Sequence, residues 1–205
     1  KSYYAVSNGT LYYSGDTAIT LDPIFVFSLM QMNDVAKVGN DSIWAIGYSS
    51  FSVPAASRTS KVYRSINNGA NWTTYSGFSV GSIAQNLTDI EFPTRLIGYA
   101  SGNRDTIYKT TDGGVTWNKL PLPFPGVTPQ IQYRDMQALD ANTVFLVGIG
   151  FPRKVVIKTT DGGATWTDIT GNILTTGVGN LTGIMMHDVN NGYVATPGIM
   201  LKTTN

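Results

Sequence analysis

Ile107-Tyr-Lys-Thr-Thr-Asp-Gly-Gly-Val-Thr-Trp117 and Val156-Ile-Lys-Thr-Thr-Asp-Gly-Gly-Ala-Thr-Trp166 are two copies of one segment within the chain. A degenerate copy reads Val62-Tyr-Arg-Ser-Ile-Asn-Asn-Gly-Ala-Asn-Trp72, another opens at Met200-Leu-Lys-Thr-Thr-Asn205, and a worn one is Leu11-Tyr-Tyr-Ser-Gly-Asp16. The Ser or Thr opening each turn falls at 14, 65, 110, 159 and 203, with spacings of 51, 45, 49 and 44. Self-similarity at about 40–50 residues is the period of propeller blades.

Other short runs keep the same period. Upstream of the turns stand Ile43-Trp-Ala-Ile-Gly47, Ile97-Gly-Tyr-Ala100, Val144-Phe-Leu-Val-Gly148 and Gly192-Tyr-Val-Ala195. Before these come Asp34-Val-Ala-Lys-Val38, Leu87-Thr-Asp-Ile-Glu-Phe92, Met136-Gln-Ala-Leu139 and Leu181-Thr-Gly-Ile-Met-Met186. Each is short, apolar and bounded by turn residues, as buried strands are. A fourth run follows each Trp, as in Asn118-Lys-Leu120 and Thr167-Asp-Ile169. Four antiparallel strands per repeat make one blade. The sequence therefore predicts an all-β propeller, with approximate repeat units at 1–32, 33–86, 87–133, 134–180 and a partial 181–205. Tyr3-Tyr-Ala-Val6 and Leu11-Tyr-Tyr-Ser14 read as the second and third strands of the opening blade. About four blades are expected here, with further blades of the same polypeptide beyond them.

Composition agrees. Only 13% of the 205 residues are charged, while Gly alone accounts for 22; about a quarter is the usual charged share. That balance suits short strands and tight polar turns rather than surface helices. The net charge of +1 without a basic run argues against nucleic acid as partner. No run of 18 apolar residues is present to span a membrane as a helix. With no cysteine and a single histidine, His187, neither thiolate chemistry, a His-based metal site nor a Ser-His-Asp triad is expected. No cofactor is expected.

The turn resembles the Asp-box of the BNR-repeat families, Ser/Thr-x-Asp-x-Gly-x-x-Trp. Thr110, Asp112, Gly114 and Trp117 match it, as do Thr159, Asp161, Gly163 and Trp166; Ser65, Asn67, Gly69 and Trp72 match with Asn for Asp. The lead-in is most similar to the photosystem II assembly-factor type of propeller, a repeat that bacteria use widely in exported proteins. Sortilin-like domains, sialidases and xyloglucan-cleaving propellers share the box. The resemblance implies that the boxes are structural turns on the face away from any ligand. Asp-Gly-Gly supplies positive φ for a tight hairpin, and its carboxylate accepts nearby backbone N–H groups. If Trp117 buries its ring in a blade, Trp117→Ala costs about 3–5 kcal/mol.

On that topology a ligand meets the loops between second and third strands and the connections between blades. Arginines stand in three of these loops, Arg58, Arg104 and Arg153, with aromatics Tyr48, Phe51, Phe124 and Phe151. Arginine with aromatics suits a protein or glycan interface. The sialidase motif Phe/Tyr-Arg-Ile-Pro is absent, and Glu91 is the only glutamate. The chain is therefore expected to be a non-catalytic secreted, periplasmic or cell-surface binding module. The alternatives are a glycoside hydrolase of the tandem-propeller type with its catalytic acids outside this chain, Asp105 and Asp135 being the only candidate acids on the binding face here, and an assembly factor for a membrane protein complex. His187-Asp-Val-Asn-Asn-Gly192 reads as a hairpin turn rather than a calcium loop. Asn-x-Ser/Thr sequons occur at Asn8, Asn40, Asn71, Asn86 and Asn180. Asp-Ser/Thr-apolar triplets make Thr17, Ser42 and Thr106 candidate O-glycosylation acceptors.

Overall fold

A computed structural model describes residues 3–7, 9–15, 20–26, 30–49, 59–76, 78, 86–121, 124, 130–150, 153–173 and 179–204. Its strands form five antiparallel sheets, numbered here as blades in chain order. Blade one holds β1 (Tyr3–Ser7), β2 (Thr10–Ser14) and β3 (Asp22–Val26). Blade two runs β4 (Met30–Val38), β5 (Ser42–Ser49), β6 (Ser60–Ser65) and β7 (Thr73–Ser76). Blade three comprises β8 (Leu87–Glu91), β9 (Gly98–Gly102), β10 (Thr106–Thr110) and β11 (Asn118–Lys119). In blade four β12 (Gln132–Ala138), β13 (Val144–Gly150), β14 (Arg153–Thr159) and β15 (Thr167–Asp168) follow one another across the sheet. Blade five contains β16 (Gly183–Met186), β17 (Asn191–Thr196) and β18 (Ile199–Thr204). One helical turn, α1 (Thr170–Ile173), interrupts a connection that the sequence reads as loop. Two compact units divide the chain, Lys1–Ile90 and Glu91–Asn205.

The strand pattern follows the sequence reading, with β4 and β12 extended at their starts to Met30 and Gln132. β4 begins at Met30, ahead of the expected start, because Met30 and Met32 are both buried. It carries a bulge between Met32 and Asp34, and β12 carries the matching one between Tyr133 and Asp135. The bulges leave Asn33 and Arg134 as the extra residues, exposed beside buried neighbours. β3 contains Pro23, which is tolerated because β3 is the edge strand of its sheet.

The middle strands of blades two, three and four bury both faces. In β13 the first five residues, Val144 to Gly148, are all buried, which explains why its sequence is a continuous apolar run rather than an alternating one. In the first unit Leu11, Met30, Met32, Ala45 and Tyr63 form a core flanked by Tyr4, Val6, Phe25 and Trp72. In the second, Tyr99 and Ile107 of blade three pack with Tyr133, Met136, Val144 and Leu146 of blade four. Phe145, Val147 and Val156 of blade four pack with Leu181, Ile184, Met186 and Val194 of blade five.

Polar latches fix the register of neighbouring inner strands. Ile184 N–H donates to Asp135 Oδ2 at 2.6 Å, and the Gln137 amide donates to Met186 O at 3.0 Å while its oxygen accepts Met186 N–H. Within the first unit, Ile90 N–H donates to Asp34 Oδ2 at 2.9 Å. Asp34 and Asp135 hold the same place just after a bulge.

The boxes are hydrogen-bonded turns. Thr110 Oγ1 accepts Gly114 N–H at 2.9 Å and donates to Asp112 Oδ1 at 2.8 Å. Asp112 then accepts Val115 N–H at 3.0 Å, Thr116 N–H at 2.9 Å and the Thr116 hydroxyl at 2.6 Å. Thr159, Asp161, Gly163 and Thr165 repeat this arrangement. Ser65 and Asn67 keep the same skeleton, with Gly69 N–H on Ser65 Oγ at 2.8 Å and Asn71 N–H on Asn67 Oδ1 at 2.9 Å. Gly113 and Gly162 adopt φ of 76° and 71°, and Asn68 takes the equivalent left-handed place at 58°, a conformation Asn tolerates better than most side chains. Each of these N–H groups ties the box to the neighbouring turn of its own blade: Asn68 to Asp41 O, Gly113 to Leu96 O, Gly162 to Asn142 O.

The box tryptophans, Trp72, Trp117 and Trp166, are half-buried rather than fully enclosed. Trp117 packs edge-on to Phe92 with ring centroids 5.9 Å apart and donates Nε1–H to Gly114 O at 3.1 Å. Trp72 makes the same bond to Gly69 O, whereas Trp166 Nε1 has no partner among the described residues. Partial burial lowers the cost expected from the sequence: Trp117→Ala should destabilise the protein by about 2–3 kcal/mol. Chemical denaturation measures this, and an unchanged midpoint would refute the blade role of Trp117.

Burial pushes Asp112 up, but the Thr116 hydroxyl and N–H, the Thr110 hydroxyl and the Val115 N–H outweigh it and hold the carboxyl down at about 2. Asp161 is likewise held at about 2, first by the Thr165 hydroxyl, then by Thr165 N–H and the Thr159 hydroxyl. A carboxyl depressed in the folded state stabilises it above the unfolded value of about 3.9 and loses that contribution as pH falls through the folded value. Thermal melts should therefore drop between about pH 4 and pH 2, and the Asp112→Asn/Asp161→Asn variant should show a shallower drop over that window. Parallel curves would contradict it.

Candidate functional site

The tip of the β9–β10 hairpin is conformationally unusual. Arg104 and Asp105 are consecutive non-glycine residues with φ of 59° and 53°, a region that non-glycine side chains occupy at a cost. Blade connection and hairpin hold each other there: Asp105 N–H donates to Ile131 O at 2.9 Å, and Ile131 N–H donates to Asp105 Oδ1 at 3.0 Å. Arg104 is left exposed at the tip, while Asp105 is buried.

Arg153, at the start of β14, stacks on Phe124 of the preceding blade connection, with its guanidinium carbon 3.9 Å from the ring centroid. Its Nη2 donates to Asp168 Oδ2 of β15 at 3.3 Å. Both partners of this pair are about one-third exposed, at 36% and 37%, so the ion pair orients Arg153 more than it stabilises the fold. Asp168 is itself fixed, its Oδ1 accepting Thr170 N–H at 2.9 Å and the Thr170 hydroxyl. Thr170 Oγ1 in turn accepts Val156 N–H at 2.9 Å, so α1 braces the aspartate that braces the arginine.

Charge links the two features. Burial pushes the Asp105 carboxyl up, while the Ile131 N–H and the cations Lys119 and Arg153 pull it down. Tyr133, fully buried in β12, has its hydroxyl pushed far up by burial and by Asp105, with Arg153 acting against the shift. Arg153 thus lies within electrostatic reach of both groups.

Several residues singled out from the sequence fall elsewhere. Tyr48 belongs to the first unit, where its hydroxyl donates to Gln31 Oε1. Phe51, Arg58, Phe151 and Thr17 lie outside the described residues. Ser42 and Thr106 are corrected as glycan acceptors of the folded chain. Their side chains are buried, Ser42 donates to Asp41 Oδ1 at 3.0 Å, and Thr106 begins β10 inside blade three. The Asp188 segment is a hairpin turn, its Oδ1 accepting Asn190 and Asn191 N–H at 2.8 Å. Among the described residues no group of three His, Cys, Asp or Glu could hold a metal ion. Asp135, an acid considered for hydrolysis, is the latch to Ile184. Sequence reading missed Asp168 and Tyr133 because nothing local ties them to Arg153. The bulge residue Arg134, exposed and bonded to Gln132 Oε1 at 3.2 Å, left no signal either.

Several solved structures are similar to the chain in fold at low sequence identity. The GH74 xyloglucanase from Xanthomonas campestris aligns over 100% of this chain and 34% of its own, with a TM-score of 0.69 and 14% identity. The GH74 enzyme from Niastella koreensis aligns over 92% and 30%, with a TM-score of 0.65 and 15% identity. The chain therefore spans about a third of each of these enzymes. A structure titled "YCF48 bound to D1 peptide" aligns over 98% and 87%, with a TM-score of 0.48 and 16% identity. No curated protein matches. No described helix is long and apolar enough to cross a membrane. Residues 60–189 match the family model "Sortilin, neurotensin receptor 3", more than half the chain, and with boxes at Thr110 and Thr159 inside that match, the chain belongs to the Sortilin-Vps10 family of Asp-box β-propellers.

Proposed function

We propose that this propeller is a non-catalytic protein-binding module, working outside the cytoplasm and using the loops opposite its boxes. The observation that carries the reading is the braced Arg153. Phe124 beneath it and Asp168 beside it hold one guanidinium in a fixed, part-exposed pose, which lowers the entropy cost of contact. Arg104 adds a second cation on a strained hairpin tip. The stacking favours a protein over a glycan, because the guanidinium takes up a face of Phe124 that would otherwise receive a sugar ring. Arginine with an aromatic is also the composition of energetically dominant interface residues. The non-catalytic reading draws on the carboxylates: Asp105 and Asp135 are committed to Ile131 and Ile184 N–H groups.

The test is a binding screen of the purified chain against arrayed acidic and neutral peptides and glycans, followed by Arg104→Ala/Arg153→Ala. The double variant should weaken binding to the selected peptides on the order of tenfold or more while leaving the thermal midpoint nearly unchanged. Equal affinity in the variant, or selection of glycans alone, would overturn the protein-binding reading. Release of reducing ends from xyloglucan by the chain would overturn the non-catalytic one.

A further inference from the structure

Five residues ahead of the Ser or Thr that opens each box turn, the repeat places Ser60, Asp105, Lys154 and Gly198. Ser60 Oγ accepts Leu87 N–H, from the first strand of the next blade, at 3.2 Å. Asp105 makes the equivalent bond with a carboxylate, to Ile131 N–H just ahead of β12. A neutral hydroxyl therefore suffices to tie a hairpin to the next inner strand, and blade three does so with a group that titrates. The backbone differs as well. Gly198 takes a φ of 84° without a side chain to crowd it, whereas Arg104 and Asp105 hold 59° and 53° with theirs. The blade-three tip relies on its two bonds to Ile131 to stay in that conformation.

The carboxyl that makes one of those bonds is 5% exposed and, among the described residues, accepts a single N–H. A carboxylate that has given up its water for one donor favours its neutral form. The charged and titratable groups that face it are Lys119 of β11 and Arg153 of β14, which favour the anion, and the Tyr133 hydroxyl of β12, which keeps its proton. Burial outweighs the Ile131 N–H and both cations and pushes the carboxyl up. In an opened tip the carboxyl is hydrated and returns to its ordinary value of about 3.9. The closed tip thus binds a proton more tightly than the open one, and by linkage falling pH favours closure. The Ile131 bond survives protonation, because a neutral carboxyl still accepts through its carbonyl oxygen. We infer that Asp105 is an acid-closed latch, which holds the Arg104 tip most firmly in mildly acidic surroundings and lets it loosen toward neutrality. Its consequence for binding rests on the reading of Arg104 as a contact residue; the latch itself does not.

Amide hydrogen exchange of the full chain reads the latch without any ligand. Protection of the Asp105 and Ile131 amides, corrected for the intrinsic pH dependence of exchange, should rise several-fold as pH falls from about 7 to about 4.5. That window lies above the range in which Asp112 and Asp161 titrate. Asp105→Asn keeps an acceptor for Ile131 N–H, tolerates the left-handed backbone and is neutral throughout, so its protection should stay level. The sole histidine, His187, is common to both proteins. Protection that falls with acid, or that rises equally in the variant, would overturn the latch. Should the variant not fold, NMR titration of the wild-type carboxyl decides: a midpoint above about 3.9 supports the latch, and one at or below it overturns it. For a peptide selected through Arg104, affinity should gain more from acid in the wild type than in Asp105→Asn. Equal gains beside a latch confirmed by exchange would count against the contact role of Arg104 alone.

Discussion

A sheet with apolar side chains on both faces has to be covered twice, and that requirement governs the rest of this molecule. Burying one large apolar side chain gains about 1.5–3 kcal/mol. The rows containing Phe145, Val147 and Val156 make that gain only because blade five lies against them. Side chains on the opposite side of the same strands, Val144, Leu146, Val155 and Ile157, face another core shared with Tyr99 and Ile107. Stacking like this explains the continuous apolar runs of the middle strands. It also explains why polar groups at the inner strands are spent on neighbouring backbone rather than on solvent, as Asp34 and Asp135 are.

Once the stack is set, loops on either side are free to diverge in role. The box side is held by short-range bonds: hydroxyl to glycine N–H four residues on, carboxylate to the following turn, and turn to the adjacent hairpin. Its geometry survives the loss of a carboxylate oxygen, as Asn67 demonstrates. On the other side, contacts join segments far apart in sequence, such as Asp105 to Ile131 and Arg153 to Phe124. That side can change its chemistry without disturbing the repeat.

This division decides what could be read from the sequence. The period, the four strands per repeat and the box bonds are local, and Thr110 to Trp117 displays them directly. The second strands share an aromatic, Trp44, Tyr99, Phe145 and Tyr193, which the apolar runs carry without marking it as a repeat feature. Its pairing with a cation across the hairpin, Arg64, Lys109, Lys158 and Lys202 respectively, requires the register. Ser42 and Thr106 looked like surface acceptors because their triplets follow an Asp and precede an apolar residue. Those same features begin a buried strand. Asp168 gave no signal, since its link to Arg153 exists only once β14 and β15 pair.

The carboxylates show how far the two sides have separated. Asp112 and Asp161 sit near solvent with several donors each and are held at about 2. Such groups are strongly committed anions, suited to clipping a turn and unsuited to giving up or taking a proton near neutrality. Asp105 shifts the other way, because burial outweighs one N–H donor and two nearby cations. A raised, buried carboxyl is the kind of group from which a general acid can be made. Its surroundings also tie it to the backbone of the next connection. One oxygen is bonded to Ile131, the side chain is 5% exposed, and the backbone it anchors carries Arg104 outward in a left-handed conformation. The bond to Ile131 that holds the carboxyl also holds the backbone of the Arg104 tip, and this shared anchoring is the geometry on which the proposed protein-binding reading draws.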